Sequence, residues 1–382
     1  MAGFTASRVS NALVVMAAIV LLAVVVLPTF TGHSVSGAEP VKIGFIGAMT
    51  GSEAKYGSFE ATVLAVDEIN AAGGINGRRV QLVAEDGKCR AKEAATAAQK
   101  LVHVDGVKII LGGHCSPETM AIAPIAEQNG VLMLSSITTS PKFVPGNFTL
   151  RTSPVNTQQI APLVAYARSR GKARLAVFYE DTAYAAPLGK QMRTQFEAAG
   201  GSVVELNFVT GTSDFRTLVA RAKQYGADVV FISPQSPDLA FLLMKQLREA
   251  GLDALVLGND VAGNAAAFAA DPSLQEGLVY PAPRFDAKGV KHLTLVANYT
   301  VRFGGTDLPY GFWTAEVYDA AHLLAEGVST VGEDPAALAE WLRGKSFEGA
   351  SGNLSIGVDG NGIREYVLYR VEEGKRVQFE AG

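Results

Sequence analysis

The sequence predicts an α/β protein of two lobes, each a largely parallel sheet covered by helices. Three observations carry that expectation. Apolar, β-branched runs recur along the 382 residues, longer segments with helical periodicity separate them, and there are too many such units for one sheet of usual size. An apolar content of 48% with 18% charged residues suits a packed globular chain and argues against a disordered or fibrous one. The formal charge of -4, with no basic run or stripe, makes nucleic acid and anionic membrane surfaces poor partners.

Residues 1–38 read as an export signal: Arg8, an unbroken apolar run from Ala12 to Leu27, Pro28, then small residues Ser36 and Ala38 that fit cleavage before Glu39. A retained membrane anchor is the alternative, because the run is near the short limit for a span. After it, VKIGFIGAM (41–49), VQLVAED (80–86), KIILGG (108–113), VLMLSS (131–136), LAVFYE (175–180), VVFISP (229–234) and LVLGND (255–260) are the expected strands. Their near-continuous apolar character marks parallel strands buried on both faces. EATVLAVDEINAAGG and SDFRTLVARAKQYG are among the intervening helices, and RTSPVNTQQ (151–159) reads as a crossing between lobes. The closing LSIGVDGNGIREYVLYRVEEGKRVQFE alternates in twos around DGNG and EEGK, the pattern of hairpins.

In doubly wound sheets ligands sit beyond the carboxyl ends of the strands, so the strand-to-helix junctions are where a site is expected. In GGHCSPET, Ser116 followed by Pro117 has the composition of a helix start, serine as the cap and proline at the first helical position. SSITTSPKF repeats the device, with Thr139 and Ser140 before Pro141. Two adjacent helix N-termini would suit a phosphate or carboxylate; plain capping is the alternative. A ligand that also carries an amine needs an acceptor opposite, and Asp260, ending LVLGND, stands at the corresponding junction of the second lobe. Its alternative is a cap for the segment AGNAAAF. Tyr56 and Tyr184 also follow strand ends, where a ring lines a cleft or simply packs.

The chain has two cysteines, each just past a strand, Cys89 after VQLVAED and Cys115 after KIILGG. Neighbouring parallel strands lie ~5 Å apart with their carboxyl ends together, which would bring the pair within disulfide reach. Such a bridge, closing a loop of roughly 26 residues, would contribute about 3 kcal/mol. Export favours it over two buried free thiols.

Enzymatic chemistry finds little support. There is no G-x-S-x-G elbow and no H-E-x-x-H, and the histidines after the signal are scattered at 103, 114, 292 and 322. His114 alone lies near the junctions, where a packed histidine is the expectation. GKS at 344–346 has Ala339 where a phosphate-binding loop needs glycine, and VDGNG reads as a tight turn rather than a calcium loop. No cofactor and no metal site is expected.

With VKIGFIGAMTGSEAKYG, INAAGGINGRRVQLVAEDGKC, GGHCSPET, GVLMLSSITTSP, SDFRTLVARAKQYGADVV and the DGNG hairpin, the chain resembles the periplasmic substrate-binding proteins of ABC importers. The likeness is to the branched-chain (leucine/isoleucine/valine) amino acid group of type I fold, over essentially the whole chain after the signal. It implies two Rossmann-like lobes joined by three crossings, lobe 1 from residues 39–154 plus 284–352 and lobe 2 from 155–283 plus 353–382, closing like a trap on one ligand. It implies that Ser116 and Thr139 hold a ligand carboxylate, that the Ile137 carbonyl and Asp260 accept from an ammonium, and that Tyr56, Tyr184 and Gln235 border the side-chain pocket. It also implies a Cys89–Cys115 disulfide, a periplasmic location, a monomer, and an inner-membrane ABC permease as partner. Against the family pattern, Asp260 stands where a longer glutamate is usual, Gln235 where an aromatic is expected, and AAP follows Tyr184 in place of a glycine-rich turn. The competing functions are capture of an aromatic acid or an amide- or urea-like solute, and a membrane-anchored ligand sensor, although no signalling domain follows the hairpins.

Overall fold

The run VKIGFIG forms β1 (Val41–Gly47), the second strand of a five-stranded parallel sheet, in the computed structural model, which describes residues 39–380. The export signal expected at 1–38 lies outside the described residues. The sheet continues with β2 (Val80–Asp86), β3 (Ile109–Gly112), β4 (Leu132–Ser135) and β5 (Thr149–Arg151), in the order β2-β1-β3-β4-β5. Helices α1 (Ser58–Ala71), α2 (Ala91–His103) and α3 (Ser116–Asn129) alternate with the strands. A right-handed return across such a sheet needs a helix between parallel neighbours, which is why the sequence alternates periods of two and 3.6.

The chain then passes through 152–159 into a second sheet. There α4 (Ile160–Ser169), β6 (Arg174–Glu180), α5 (Ala185–Ala198), β7 (Ser202–Phe208), α6 (Arg216–Tyr225), β8 (Val229–Ser233), α7 (Pro237–Glu249), β9 (Leu255–Gly258) and β10 (Val279–Pro283) repeat the same winding. The sheet order β15-β14-β10-β9-β8-β6-β7 ends in an antiparallel hairpin, β14 (Tyr366–Glu372) and β15 (Lys375–Phe379), turning at EEGK. Between β10 and β14 the chain returns to the first lobe as α8 (Val290–Phe303), α9 (Phe312–Val331), α10 (Pro335–Leu342) and a small antiparallel sheet. That sheet comprises β11 (Ser346–Gly349), β12 (Gly352–Ile356) and β13 (Gly362–Ile363). Leu323, Leu324, Leu338 and Leu342 from these helices share a core with Val41, Leu111 and Leu134. Among the described residues no helix is long and apolar enough to cross a membrane.

Four local expectations are corrected. β2 and β3 are not neighbours, since β1 lies between them. No helix follows SSITTSP: Lys142 N–H and Phe143 N–H close a turn on Ser140, and Pro145 four residues after Pro141 rules out a regular first turn. Ser116 is not the cap of α3 but its first residue, with Cys115 in the extended cap position and Pro117 inside the first turn. The third crossing, expected at 352/353, falls instead between Ile363 and Tyr366. Leu354 and Ile356 of β12 are buried in the first-lobe core, and β12 pairs with β11 along its length, so a boundary there would cut one hairpin in half. β5, β7, β10 and β11 are not among the expected strands: β5 has three residues, β7 and β11 are partly exposed and more polar, and β10 carries Pro281 and Pro283.

The strand that leads into the third crossing, β13, touches the first crossing at Gly362. A Cβ placed there would lie 1.7 Å from the carbonyl oxygen of Thr152, so only glycine lets β13 lie on the first crossing. Gly362→Ala is expected to destabilise the protein by roughly 1–3 kcal/mol through forced separation of these backbones. Thermal unfolding checks this, and an unchanged midpoint would mean the two backbones part without cost.

Candidate functional site

The seven residues singled out above all lie in turns that leave the carboxyl end of a strand. Tyr56 closes the single-turn 3-10 helix Ser52–Tyr56 beyond β1, Ser116 follows β3, and Ile137 and Thr139 follow β4. From the other sheet, Tyr184 follows β6, Gln235 follows β8 and Asp260 follows β9. The strand order reverses between β1 and β3 and again between β6 and β8, and it is at such switch points that parallel sheets leave a crevice. The two crevices face each other. All seven residues line one small cavity between the lobes, together with His114, Val261 and Tyr310.

The first-lobe wall is held by buried polar groups. Glu118, in the first turn of α3, accepts hydrogen bonds from the backbone N–H of Cys115 (3.0 Å) and of Cys89 (2.9 Å). Burial pushes its carboxyl up to about 7. Cys89 and Cys115 form a disulfide with Cα atoms 5.2 Å apart. Since β1 separates their strands, the bridge arches over the end of β1, and the left-handed backbone at Lys88 and Cys89 turns the chain inward to reach it. The carbonyl oxygen of Gly113, itself at a φ of 69° that favours glycine, accepts from the hydroxyls of Ser135 (2.7 Å), Thr138 (2.8 Å) and Thr119. This one acceptor therefore ties the loop bearing Ser116 to the loop bearing Thr139. Thr139 is fully buried, and its Oγ1 has no hydrogen-bond partner.

The second-lobe wall centres on Asp260, a buried carboxylate only 5% exposed. Its partner is the Tyr184 hydroxyl, which donates to Oδ1. No lysine or arginine is among the residues around the cavity, and burial raises the Asp260 carboxyl to about 6. Burial likewise raises the phenols of Tyr56, Tyr184 and Tyr310 well above their ordinary value, so the surrounding rings stay neutral. Tyr56 stacks on Tyr310 with ring centres 4.7 Å apart.

The cavity is shut. Tyr56 O–H donates across it to the Gln235 carbonyl oxygen (2.5 Å), the hydroxyls of Ser52 and Ser236 meet at 3.0 Å, and Ser140 Oγ donates to the Ala183 carbonyl (2.7 Å). A Lys55–Asp238 ion pair at 2.5 Å spans the rim with both side chains about half exposed, so water screens it. One end of the cavity thus offers hydroxyls and a helix start, which suit an anionic group, and the other a carboxylate with no cation beside it, which suits a positive one. Sequence reasoning missed Val261 and Tyr310 and set His114 aside as packing. Val261 follows Asp260 directly, but Tyr310 enters from beyond the second crossing, at the loop before α9, where no strand end marks it.

Residues 40–376 match the family described as periplasmic binding protein. The leucine-, isoleucine-, valine-, threonine- and alanine-binding protein of Pseudomonas aeruginosa is 30% identical over 348 residues, covering 89% of this chain and 92% of that protein. The crystal structure of a leucine-binding protein from Thermotoga maritima superposes with a TM-score of 0.78 at 27% identity, covering 89% of this chain and 97% of that one. A solute-binding protein of an ABC transporter from Rhodopseudomonas palustris, solved with 3,4-dihydroxybenzoic acid, shares the fold at a TM-score of 0.79 and 22% identity, covering 90% of this chain and 96% of that one.

Proposed function

We propose, of a chain that belongs to the periplasmic binding protein family, that it captures a small neutral α-amino acid between its lobes and presents it to an ABC permease. The observation that carries this reading is the buried Asp260 carboxylate, which faces a cavity with no cation among its lining residues. A buried anion is stable only when paired, and a ligand ammonium is the group that pairs it. Ser116, with the amides at the start of α3, and the unpartnered hydroxyl of Thr139 hold the carboxylate. The Ile137 carbonyl shares the ammonium with Asp260, and Tyr56, Tyr184 and Gln235 border the side chain. Branched-chain binding by the Pseudomonas relative supports the same class.

Capture is a two-state closure. The ligand stabilises the closed form only to the extent that it touches both lobes, which a zwitterion does, carboxylate on the first and ammonium on the second. The protein works as a monomer in the periplasm after removal of residues 1–38 and catalyses no reaction. An aromatic acid is the second reading, favoured by the rings of Tyr56, Tyr184 and Tyr310 around the cavity. It would leave Asp260 without a cation.

Calorimetry at two pH values tests the proposal. Amino acids are expected to bind in the micromolar range at pH 7.5, which corresponds to about 8 kcal/mol. An ammonium needs the ionised Asp260, whose carboxyl in the free site titrates at about 6. Below that value binding must expel a proton, so affinity is expected to fall by up to about tenfold per pH unit, and to be roughly tenfold weaker at pH 5. Binding confined to aromatic acids, or amino-acid binding with no pH dependence, would remove Asp260 from the assigned role.

A further inference from the structure

We infer that His114 makes this site selective for amino acids whose side chain carries a neutral hydrogen-bonding group, a hydroxyl or carboxamide, over their apolar isosteres. The inference rests on the amino-acid reading and deepens it. His114 lines the cavity, is 2% exposed, and its Nε2 has no hydrogen-bond partner. The other ring nitrogen is engaged, Nδ1 lying 3.1 Å from the Ser136 hydroxyl, and the ring stacks on Phe45 with centres 5.1 Å apart. The imidazole is therefore held in place with one polar atom left over, in a residue that lines the cavity.

Desolvation lowers its ionisation to about 3, so the ring is neutral at every pH of interest and offers the ligand no positive charge. A neutral nitrogen of this kind matches a neutral partner. Because the Ser136 hydroxyl can donate to or accept from Nδ1, Nε2 is available as acceptor or donor, which fits both a hydroxyl and an amide. Gln235 adds a second polar side chain from the opposite lobe, its Oε1 accepting from the Thr182 hydroxyl at 3.3 Å. A purely aliphatic ligand would leave Nε2 buried and unpaired, and sites built to bond a polar group discriminate strongly against analogues that lack it.

Isosteric pairs give the test. Calorimetry of the exported chain, stripped of ligand by unfolding and refolding, is run with threonine against valine and asparagine against leucine. The expected result is that the polar member of at least one pair binds roughly tenfold or more tightly. His114→Leu is expected to bring that ratio to one or invert it, with Gln235→Leu as the second variant should the first fold poorly by circular dichroism. Equal or tighter binding of valine and leucine by the unaltered protein overturns the inference and leaves the amino-acid reading standing. A polar preference that survives both substitutions also overturns it. Failure of every amino acid to bind overturns the reading itself, and the inference with it.

Discussion

Asp260→Asn is expected to weaken amino-acid binding by about 30-fold to several thousand-fold while making the ligand-free protein more stable at neutral pH. The loss follows from truncating one member of a desolvated charge pair, which costs roughly 2–5 kcal/mol. The gain follows from linkage. The carboxyl titrates at about 6 in the folded protein, against an ordinary 3.8, because burial opposes its charge. A group whose folded value is raised in this way stabilises the fold when protonated, so its penalty is absent below pH ~4, grows as pH rises to ~6, and is complete above it. A rise of this size corresponds to up to about 3 kcal/mol. Calorimetry and thermal unfolding of the same variant read both quantities. Affinity and stability falling together would mean that Asp260 is a structural cap; affinity falling while stability rises is the signature of a site held ready for a cation.

The double replacement Cys89→Ser, Cys115→Ser is expected to cost about 3.5 kcal/mol of stability, from the entropy of releasing a loop spanning 26 residues. The unfolding midpoint should fall by roughly 5–10 °C. The effect should reach the ligand as well. Glu118 accepts from the backbone of both cysteines, and Ser116 is the next residue along, so freeing the arch over β1 loosens the start of α3. Denaturant unfolding of the oxidised protein with and without reductant separates the two contributions. Equal stability in both states would show that Glu118 alone fastens the arch.

Much of the site is legible in the sequence because it is built from local signals. Each of the seven residues follows an apolar run that forms a strand, and the rule that ligands gather at carboxyl ends needs no knowledge of neighbours. Partners in space are another matter. Adjacent strands would account for the cysteine pair, yet β1 lies between β2 and β3 and the bridge is made by the turns, not the strands. SSITTSPKF carries the residues of a helix start, but Pro145 and the hydrogen bonds on Ser140 convert it to a turn. His114 reads as packing because a sequence cannot report an unpartnered nitrogen.

By itself, the sequence determined the alternation of strand and helix, the crossing near 151–159, the hairpins at the end, and the residues that leave the strand ends, because periodicity, capping and turn chemistry act within a few residues of chain. Only the tertiary structure decided the strand order, the arch of the disulfide, the third crossing at 364–365, the arrival of Tyr310 from a distant segment, and the lack of a lysine or arginine among the residues that line the inter-lobe cavity with Asp260. Those features depend on which surfaces meet, and burial, which sets the charge of Asp260 and the neutrality of His114, exists only once they have met.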